Sequence, residues 1–426
     1  MIALVLAAPC TVIAAQGEAL SPAVRTGDVH ADGRPADRSN AIASAAGLQS
    51  KADSVRTTMR WNRPAEAGKD RGGEDRTWRS SVLDLLAIGM GIGEVTGTAE
   101  KQIVLIDPSA VYVYSLNGRE MTRLATYDAS PFELKSVDVA RIRKQGPARI
   151  YVTAQNRSAL SSFVLEYRNG ALTPVIKNIP YYLRIIQYPS KGPILLGQQK
   201  GMDRTYDGPI VRLEDKGDEL RDAGRFGIPL KIPIFGFCIG DFEGKRQPAV
   251  AVYDRNDHLR LYHPSGKRFF ISKEYYGGSD VILRQSGSER QAGSPMATDN
   301  EDRDYYRPRI MALNLGGRGP YEILAITHHS KTMRMLGRFK MLEDGQVVGL
   351  AWNGDALEQK WSSPKIQGMI TDFTVDTLPM ISGPALIAVE RQKTDWLLFL
   401  SSKSQVRAYN LKDLMDRAVR SEKKEE

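Results

Sequence analysis

The chain has 426 residues, 42% of them hydrophobic, and 59 Lys and Arg against 50 Asp and Glu give it a net charge of +9. That is enough apolar material for a large core, and two cysteines exclude a disulfide-stapled scaffold. No dense Lys/Arg run with interleaved aromatics occurs, so no specific nucleic-acid partner is expected. The basic excess reads as a mixed-sign solvated surface or, in the sharper alternative, as a face for an anionic surface.

Residues 1–15 begin Met1-Ile2-Ala3-Leu4-Val5-Leu6-Ala7-Ala8, and Val12-Ile13-Ala14 fits a small-x-small cleavage pattern. A signal peptide cleaved after Ala14 or Ala15 is expected, although no Lys or Arg precedes the apolar stretch. Lipidation at Cys10 is the alternative, and Pro9 fits it badly. The stretch is too short to anchor in a bilayer and no other long apolar segment follows, so no transmembrane span is expected. Export to the periplasm, the outer-membrane periphery or the cell exterior follows from this reading. Residues 16–77 are rich in Ala, Arg, Asp, Gly and Ser without apolar period, a composition that predicts a disordered linker.

From Trp78 the texture changes to short β-branched runs separated by turn residues, predicting strands. Ile92-Gly93-Glu94-Val95-Thr96-Gly97 precedes the run Gln102–Ile106, and Leu116-Asn117-Gly118 marks a hairpin. A second unit runs from Val137-Asp138-Val139 to Ile176, and a third from Leu183 to Leu213. The fourth is the cleanest: Ile239-Gly240-Asp241-Phe242-Glu243-Gly244, then Pro248–Asp254, Leu259–Tyr262 and the turn Pro264-Ser265-Gly266-Lys267. The fifth spans Arg309 to about Ser363 and the sixth Ile366 to Asn410. Units of about 40–50 residues with about four strands each are the size of propeller blades. The predicted fold is therefore all-β, a β-propeller of six or seven four-stranded blades over residues 78–412. Strands near Ser81–Leu86 and Val406–Tyr409 are expected to complete one blade from both ends. Gln285–Tyr306 reads as a long insert, and 413–426 as a charged tail, frayed helix at most.

The repeat resembles the FG-GAP/VCBS family of β-propeller repeats, which includes the head domain of integrin α chains. The likeness covers roughly Gly89 to Asn410 and is strongest over Gly240–Tyr262. Leu195-Leu196-Gly197-Gln198-Gln199 and Glu274-Tyr275-Tyr276-Gly277-Gly278-Ser279-Asp280 also resemble exported bacterial VCBS-repeat proteins of unassigned role. The resemblance implies protein or glycan contacts through loops on one face, and calcium in acidic inter-strand loops. Here those loops are eroded. Asp241 and Glu243 keep two acidic places, but Lys245 and Ala249 stand where further ligands belong. Glu94, Asn314 and Glu322 are lone remnants, and Asp138 and Asp372 open the loops of units two and six. No cofactor is therefore expected. Lys245 and Arg318 are read as replacing the cation by pairing with Asp241/Glu243 and Glu322.

No zinc-protease, nucleophile-elbow or phosphate-loop motif occurs. Gly89-Met90-Gly91-Ile92-Gly93 opens a strand rather than a helix and is no dinucleotide loop. His328-His329 reads as an exposed strand-end pair, and Cys238 as a packed core thiol. The binding-loop candidates are Asp203, Arg204, Tyr206 and Asp207 in one stretch and Glu274, Tyr275, Tyr276 and Asp280 in another, because aromatics beside arginine suit a recognition surface. Non-catalytic binding is the first functional reading. The alternative is a polysaccharide hydrolase or lyase in the propeller funnel, using acids among Asp203, Asp207, Glu274 and Asp280. Oligomeric state is left open.

Overall fold

The computed structural model describes residues 76–189, 191–202, 204–284, 304–314, 319–329, 344–392 and 403–417. The expected signal peptide, the linker up to residue 75, most of the Gln285–Tyr306 insert and the end of the tail lie outside these residues. No helix among the described residues is long and apolar enough to cross a membrane.

Among the described residues six antiparallel blades of four main strands follow one another along the chain; blade two adds the short strand Ala159–Leu160, and blades five and six are joined into one eight-stranded sheet where Asp344-Gly345 pairs with Ile366-Gln367. Blade one comprises Gly89–Gly93, Gln102–Ile106, Ala110–Asn117 and Glu120–Asp128. Blades two to five begin with the inner strands Glu133–Ala140, Tyr182–Tyr188, Phe237–Gly240 and Met311–Leu313. Blade six starts with the inner strand Ile366–Leu378. Each inner strand packs beside that of the next blade, so the sheets form a six-bladed β-propeller. The hairpin turns are the expected ones: Asn169-Gly170 adopts φ of 50° and 84°.

The spacing of blades one and two rests on two glycines. A Cβ at Gly91 or Gly93 would stand 2.5 or 2.6 Å from the Val139 side chain. The Gly-Met-Gly-Ile-Gly run is thus an inner strand that lets its neighbour approach closely.

Blade six is closed by both ends of the described chain. Its outer strand is Thr77–Arg79, which pairs with Arg407–Tyr409. This lies slightly before the Ser81–Leu86 stretch expected from the sequence, where only Leu83 makes an isolated bridge, to Ser404. The reason is Trp78: it is buried between exposed Thr77 and Arg79, and its indole N–H donates to the Arg119 carbonyl of blade one at 2.8 Å. Ser404 adds two bonds, Oγ to the Leu85 carbonyl at 2.8 Å and from the Ala87 N–H at 3.0 Å. The chain after blade six is helical over 411–417, with Leu411 and Leu414 buried against blades five and six.

The segment between blades four and five makes the ring asymmetric. Gly277 donates to the Ile326 carbonyl of blade five, and Asp280 pairs with Arg391 of blade six. Ile282 accepts the buried Lys135 ammonium of blade two at 2.7 Å, and the Gln155 amide of blade two bonds both backbone groups of Arg284 at 3.0 Å. Ile282–Leu283 then pairs with Asp304–Tyr305 before the chain re-enters the ring. This strap crosses the mouth at which the inner strands begin. His328, on the blade-five strand Glu322–His329, holds the strap and is not an exposed loop residue: it is buried, accepts the Ile370 N–H at Nε2 (3.2 Å) and so donates from Nδ1 to the Gly277 carbonyl at 2.9 Å.

Closure through Trp78 has a direct test. Trp78→Ala should cost about 3–5 kcal/mol in chemical denaturation, the range for deleting a fully packed aromatic, while Val82→Ala on the exposed neighbouring loop should be near neutral. Equal stability of the two variants would show that the terminal strand does not close the ring.

Candidate functional site

Two concavities lie on opposite faces. The first is the central funnel, which opens where the inner strands end, has a volume of 380 Å³, and is lined by all six inner strands. Its floor is a charge cluster on the ring axis. Arg309, just ahead of the blade-five inner strand, donates from Nε and Nη2 to Asp372 at 2.8 and 3.1 Å. From Nη1 it donates to Asp138 at 2.9 Å, and Nη2 also reaches the Met90 carbonyl at 3.0 Å. Arg184 of blade three bonds Asp138 at 3.2 Å.

Each axial carboxylate also ties its blade to the next. Asp138 accepts the Ile185 N–H at 2.8 Å and Asp372 the Met90 N–H at 3.0 Å. Burial works against the charge on Arg309, but Asp372 and Asp138 outweigh it and hold its pKa well above the ordinary value. Cys238 lies against this floor, and burial pushes its thiol far above the usual range. It is the packed thiol expected, with no nucleophilic character.

Asp138 and Asp372, expected as loop openers, therefore stand within inner strands at the axis. Both sit between apolar neighbours or beside them, in Val137-Asp138-Val139 and Thr371-Asp372-Phe373. A buried acid in an otherwise apolar strand is the signal that could have located them. Besides Asp138, the funnel lining includes the carboxylate of Asp376, which is ion-paired with Lys101 of blade one.

The second concavity is a cleft of 690 Å³ on the strap face, between blades three and four. Six cations line it (Arg204, Arg225, Lys231, Arg255, Arg260 and Arg307) against three carboxylates (Asp207, Asp254 and Asp304), an excess of three positive charges. Arg260 is engaged by Asp254 at 2.7 Å. Tyr206, Phe226 and Tyr262 supply aromatic wall. The Tyr206 ring packs on Tyr182 with centroids 5.2 Å apart, and the Arg307 guanidinium sits 6.0 Å from its centre. Burial pushes the Tyr206 phenol well above its ordinary pKa, with Arg307 pulling the other way, so its hydroxyl keeps its proton.

The structure divides the predicted loop residues. Arg204, Tyr206 and Asp207 line the cleft; Asp203 lies outside the described residues. Glu274 and Tyr275 are exposed on the same face, with the Tyr275 ring tilted against His258, centroids 4.5 Å apart. Tyr276 is instead buried in the core shared by blades four and five, and Asp280 is held by Arg391 on blade six. The two stretches do not converge among the described residues, and Asp207, Glu274 and Asp280 do not line the funnel. Arg255 and Arg307, which complete the cleft, escaped sequence reasoning because other chain segments supply them.

The eroded repeat loops lie on the funnel face and hold themselves. Asp241 accepts the Lys245 and Arg246 N–H groups at 2.9 and 2.6 Å. Glu243 pairs with the Lys245 ammonium at 2.6 Å and with His263 at 3.3 Å. Lys245 thus pairs with Glu243, as expected, while Asp241 caps backbone instead. Gln102 does the same in blade one, accepting from Val95 at 2.9 Å and Thr96 at 3.2 Å. Glu322 accepts the Trp361 indole N–H at 2.7 Å, and Arg318 lies outside the described residues. Among the described residues no group of three or more metal-ligating side chains converges. A calcium ion would meet an ammonium and carboxylates already accepting N–H donors, so these residues do not fit one.

No protein-family model matches the chain, and no curated protein matches it. Solved structures similar to it include BBS1N in complex with ARL6DN, at 13% identity over 77% of this chain and 80% of that one, with a TM-score of 0.37. A protein from Lactobacillus plantarum is 12% identical over 72% of this chain and 81% of its own, with a TM-score of 0.36. An oxidoreductase (glucose dehydrogenase) from Thermus thermophilus is 10% identical over 77% and 99%, with a TM-score of 0.38. At these scores the likenesses say nothing about activity or ligand.

Two outcomes follow. Arg309→Ala leaves Asp138 and Asp372 buried without their shared cation and should cost about 3–5 kcal/mol by chemical denaturation. Arg309→Lys keeps the charge but not the fork, and should recover part of the loss. A near-neutral Arg309→Ala would show that the axis does not need the cluster. Separately, excess EDTA should leave the melting temperature unchanged. A large drop that added calcium reverses would overturn the self-capped account of the loops.

Proposed function

We propose that this chain is a non-catalytic, exported binding propeller of FG-GAP/VCBS type that presents its strap face, and the cleft between blades three and four, to a protein or glycan ligand. The observation that carries the proposal is the state of the funnel acids. Asp138 is bonded to Arg309 and Arg184, and Asp376 to Lys101. Glycoside hydrolysis needs one carboxylic acid that can give up a proton and one free carboxylate. Asp138 and Asp376 are instead engaged by guanidinium and ammonium donors, which occupy the oxygens that a substrate would have to meet. The cleft offers a different chemistry: aromatic wall, apolar backing and an excess of cations over carboxylates, which suit recognition. The export part of the proposal rests on the apolar residues 2–8, and the family part on the Gly-Asp-Phe-Glu-Gly repeat at 240–244.

The polysaccharide-active alternative is tested on the same protein. Incubation with neutral and acidic polysaccharides should release neither reducing ends nor unsaturated products. Immobilised polysaccharide or envelope protein should retain the chain, and Arg204→Glu/Arg255→Glu should abolish that retention. Turnover by the wild type that Asp376→Asn removes would replace the binding proposal with the funnel enzyme.

A further inference from the structure

Two arginines stand two residues apart at the end of the strap, and their surroundings differ. Arg309 is bonded by two carboxylates and a backbone carbonyl. Arg307 is the more deeply buried of the two, yet its only ion-pair contact among the described residues is Asp304 at 3.9 Å, beyond hydrogen-bond length. Its Nη1 is buried with no hydrogen-bond partner among the described residues, and so is the Tyr206 hydroxyl beside it. A buried guanidinium nitrogen that lacks an acceptor carries a desolvation cost. Packing holds it in place nonetheless: Gly236 leaves room for it, since a Cβ there would lie 2.6 Å from Arg307 Cβ. Both Arg307 and Tyr206 line the cleft, whose rim adds Arg204 and Arg255 as exposed cations.

We propose that the cleft between blades three and four is an oxyanion-binding site in which Arg307 is the anchor, taking the carboxylate or phosphate group of a small acidic ligand. The inference rests on the binding function proposed above and names the chemistry of its ligand. Arg307 presents N–H donors in a planar fork that matches two oxygens of either group. Tyr206 donates its hydroxyl to a third acceptor. Arg204 and Arg255 at the rim attract the anion, and Phe226 and Tyr262 pack against its apolar part. A volume of 690 Å³ accommodates a sugar acid or sugar phosphate and leaves no room for a folded partner.

Calorimetric titration of the full chain with D-glucuronate, inorganic phosphate and D-glucose, at matched ionic strength, tests this. Saturable binding of glucuronate or phosphate, and not of glucose, is expected. Arg307→Met should weaken it about tenfold or more, the effect of losing a charge-assisted bond. Tyr206→Phe should weaken it less. Preference for glucuronate assigns a carboxylated ligand and preference for phosphate a phosphorylated one. Arg204→Glu/Arg255→Glu, which touches only exposed positions, guards against misfolding of the buried variant and should also weaken binding. Absence of binding by either anion, or binding that Arg307→Met and the rim variant leave unchanged, would overturn the site. Binding of glucose alone would overturn the oxyanion assignment while the binding function stands. Polysaccharide turnover that Arg307→Met does not affect would instead remove the binding function.

Discussion

The ring depends on the ion cluster at its axis. Six twisted sheets that share one centre bring their inner strands together, and each inner strand has an edge with unpaired N–H groups. Water cannot satisfy those groups once the centre is packed. Asp138 and Asp372 do so for Ile185 and Met90, and each reaches from its own blade to the next. Two buried carboxylates then require a cation, and Arg309 supplies one charge shared between them with Arg184 as the second. A buried pair is weak evidence for stability by itself, since an apolar replacement of similar shape can be equally stable. Its effect here is on specificity: only the arrangement that brings blades two, three, five and six to the same axis satisfies all four charges.

The same device recurs away from the axis in neutral form. Thr153 of blade two accepts the Leu183 N–H at 2.9 Å and donates to the Leu183 carbonyl at 3.2 Å. Gln198 of blade three accepts from Ile234 at 2.8 Å and donates to Ile232 at 3.2 Å. His328 of blade five accepts from Ile370, and Ser404 of blade six from Ala87. Three of the four stand on the second strand of their blade, and each takes up backbone where the chain enters the next sheet. Polar residues that break the apolar pattern of a second strand are therefore blade-to-blade clasps. This explains why the strand Glu322–His329 can carry His328 near its end as a clasp without that residue serving a metal.

The blades were legible because a strand has period two and its turns carry glycine and asparagine at fixed places, so local pattern and local structure coincide. The Asn169-Gly170 hairpin and the fourth unit are cases in point. What could not be read was set by distance along the chain. Arg309 meets Asp138 across 171 residues and Asp372 across 63, and nothing local marks those partners. In sequence, Tyr276 and Asp280 read as part of a recognition loop because aromatics and acids gather in the stretch Glu274–Asp280. The strap reverses this, since backbone bonds to Ile326 and the Arg391 ion pair draw the segment against the ring. In the cleft, the Arg204–Asp207 stretch was visible as an aromatic-basic loop, whereas Arg255 and Arg307 come from blade four and the strap. A site assembled from three separated segments shows only its most compact part in sequence.

The strap links ring closure to the cleft. Arg309 fixes the strap's end at the axis, and Pro308 restricts the backbone of Arg307 to extended conformations. Arg307 is thereby delivered to the cleft wall by an anchor outside the cleft. An under-satisfied buried guanidinium would withdraw to solvent if its segment were free to move, because exposure would restore its hydration. Here withdrawal would require breaking the axial cluster, so the strain of holding Arg307 is offset by bonds that Arg309 makes elsewhere. Functional groups are commonly held in unfavourable surroundings by a scaffold that over-determines them. The pairing of a saturated and an under-satisfied arginine across one proline is how that arrangement is built in this chain. It places the Arg307 charge on the face opposite the funnel, in a cleft where cations outnumber acids.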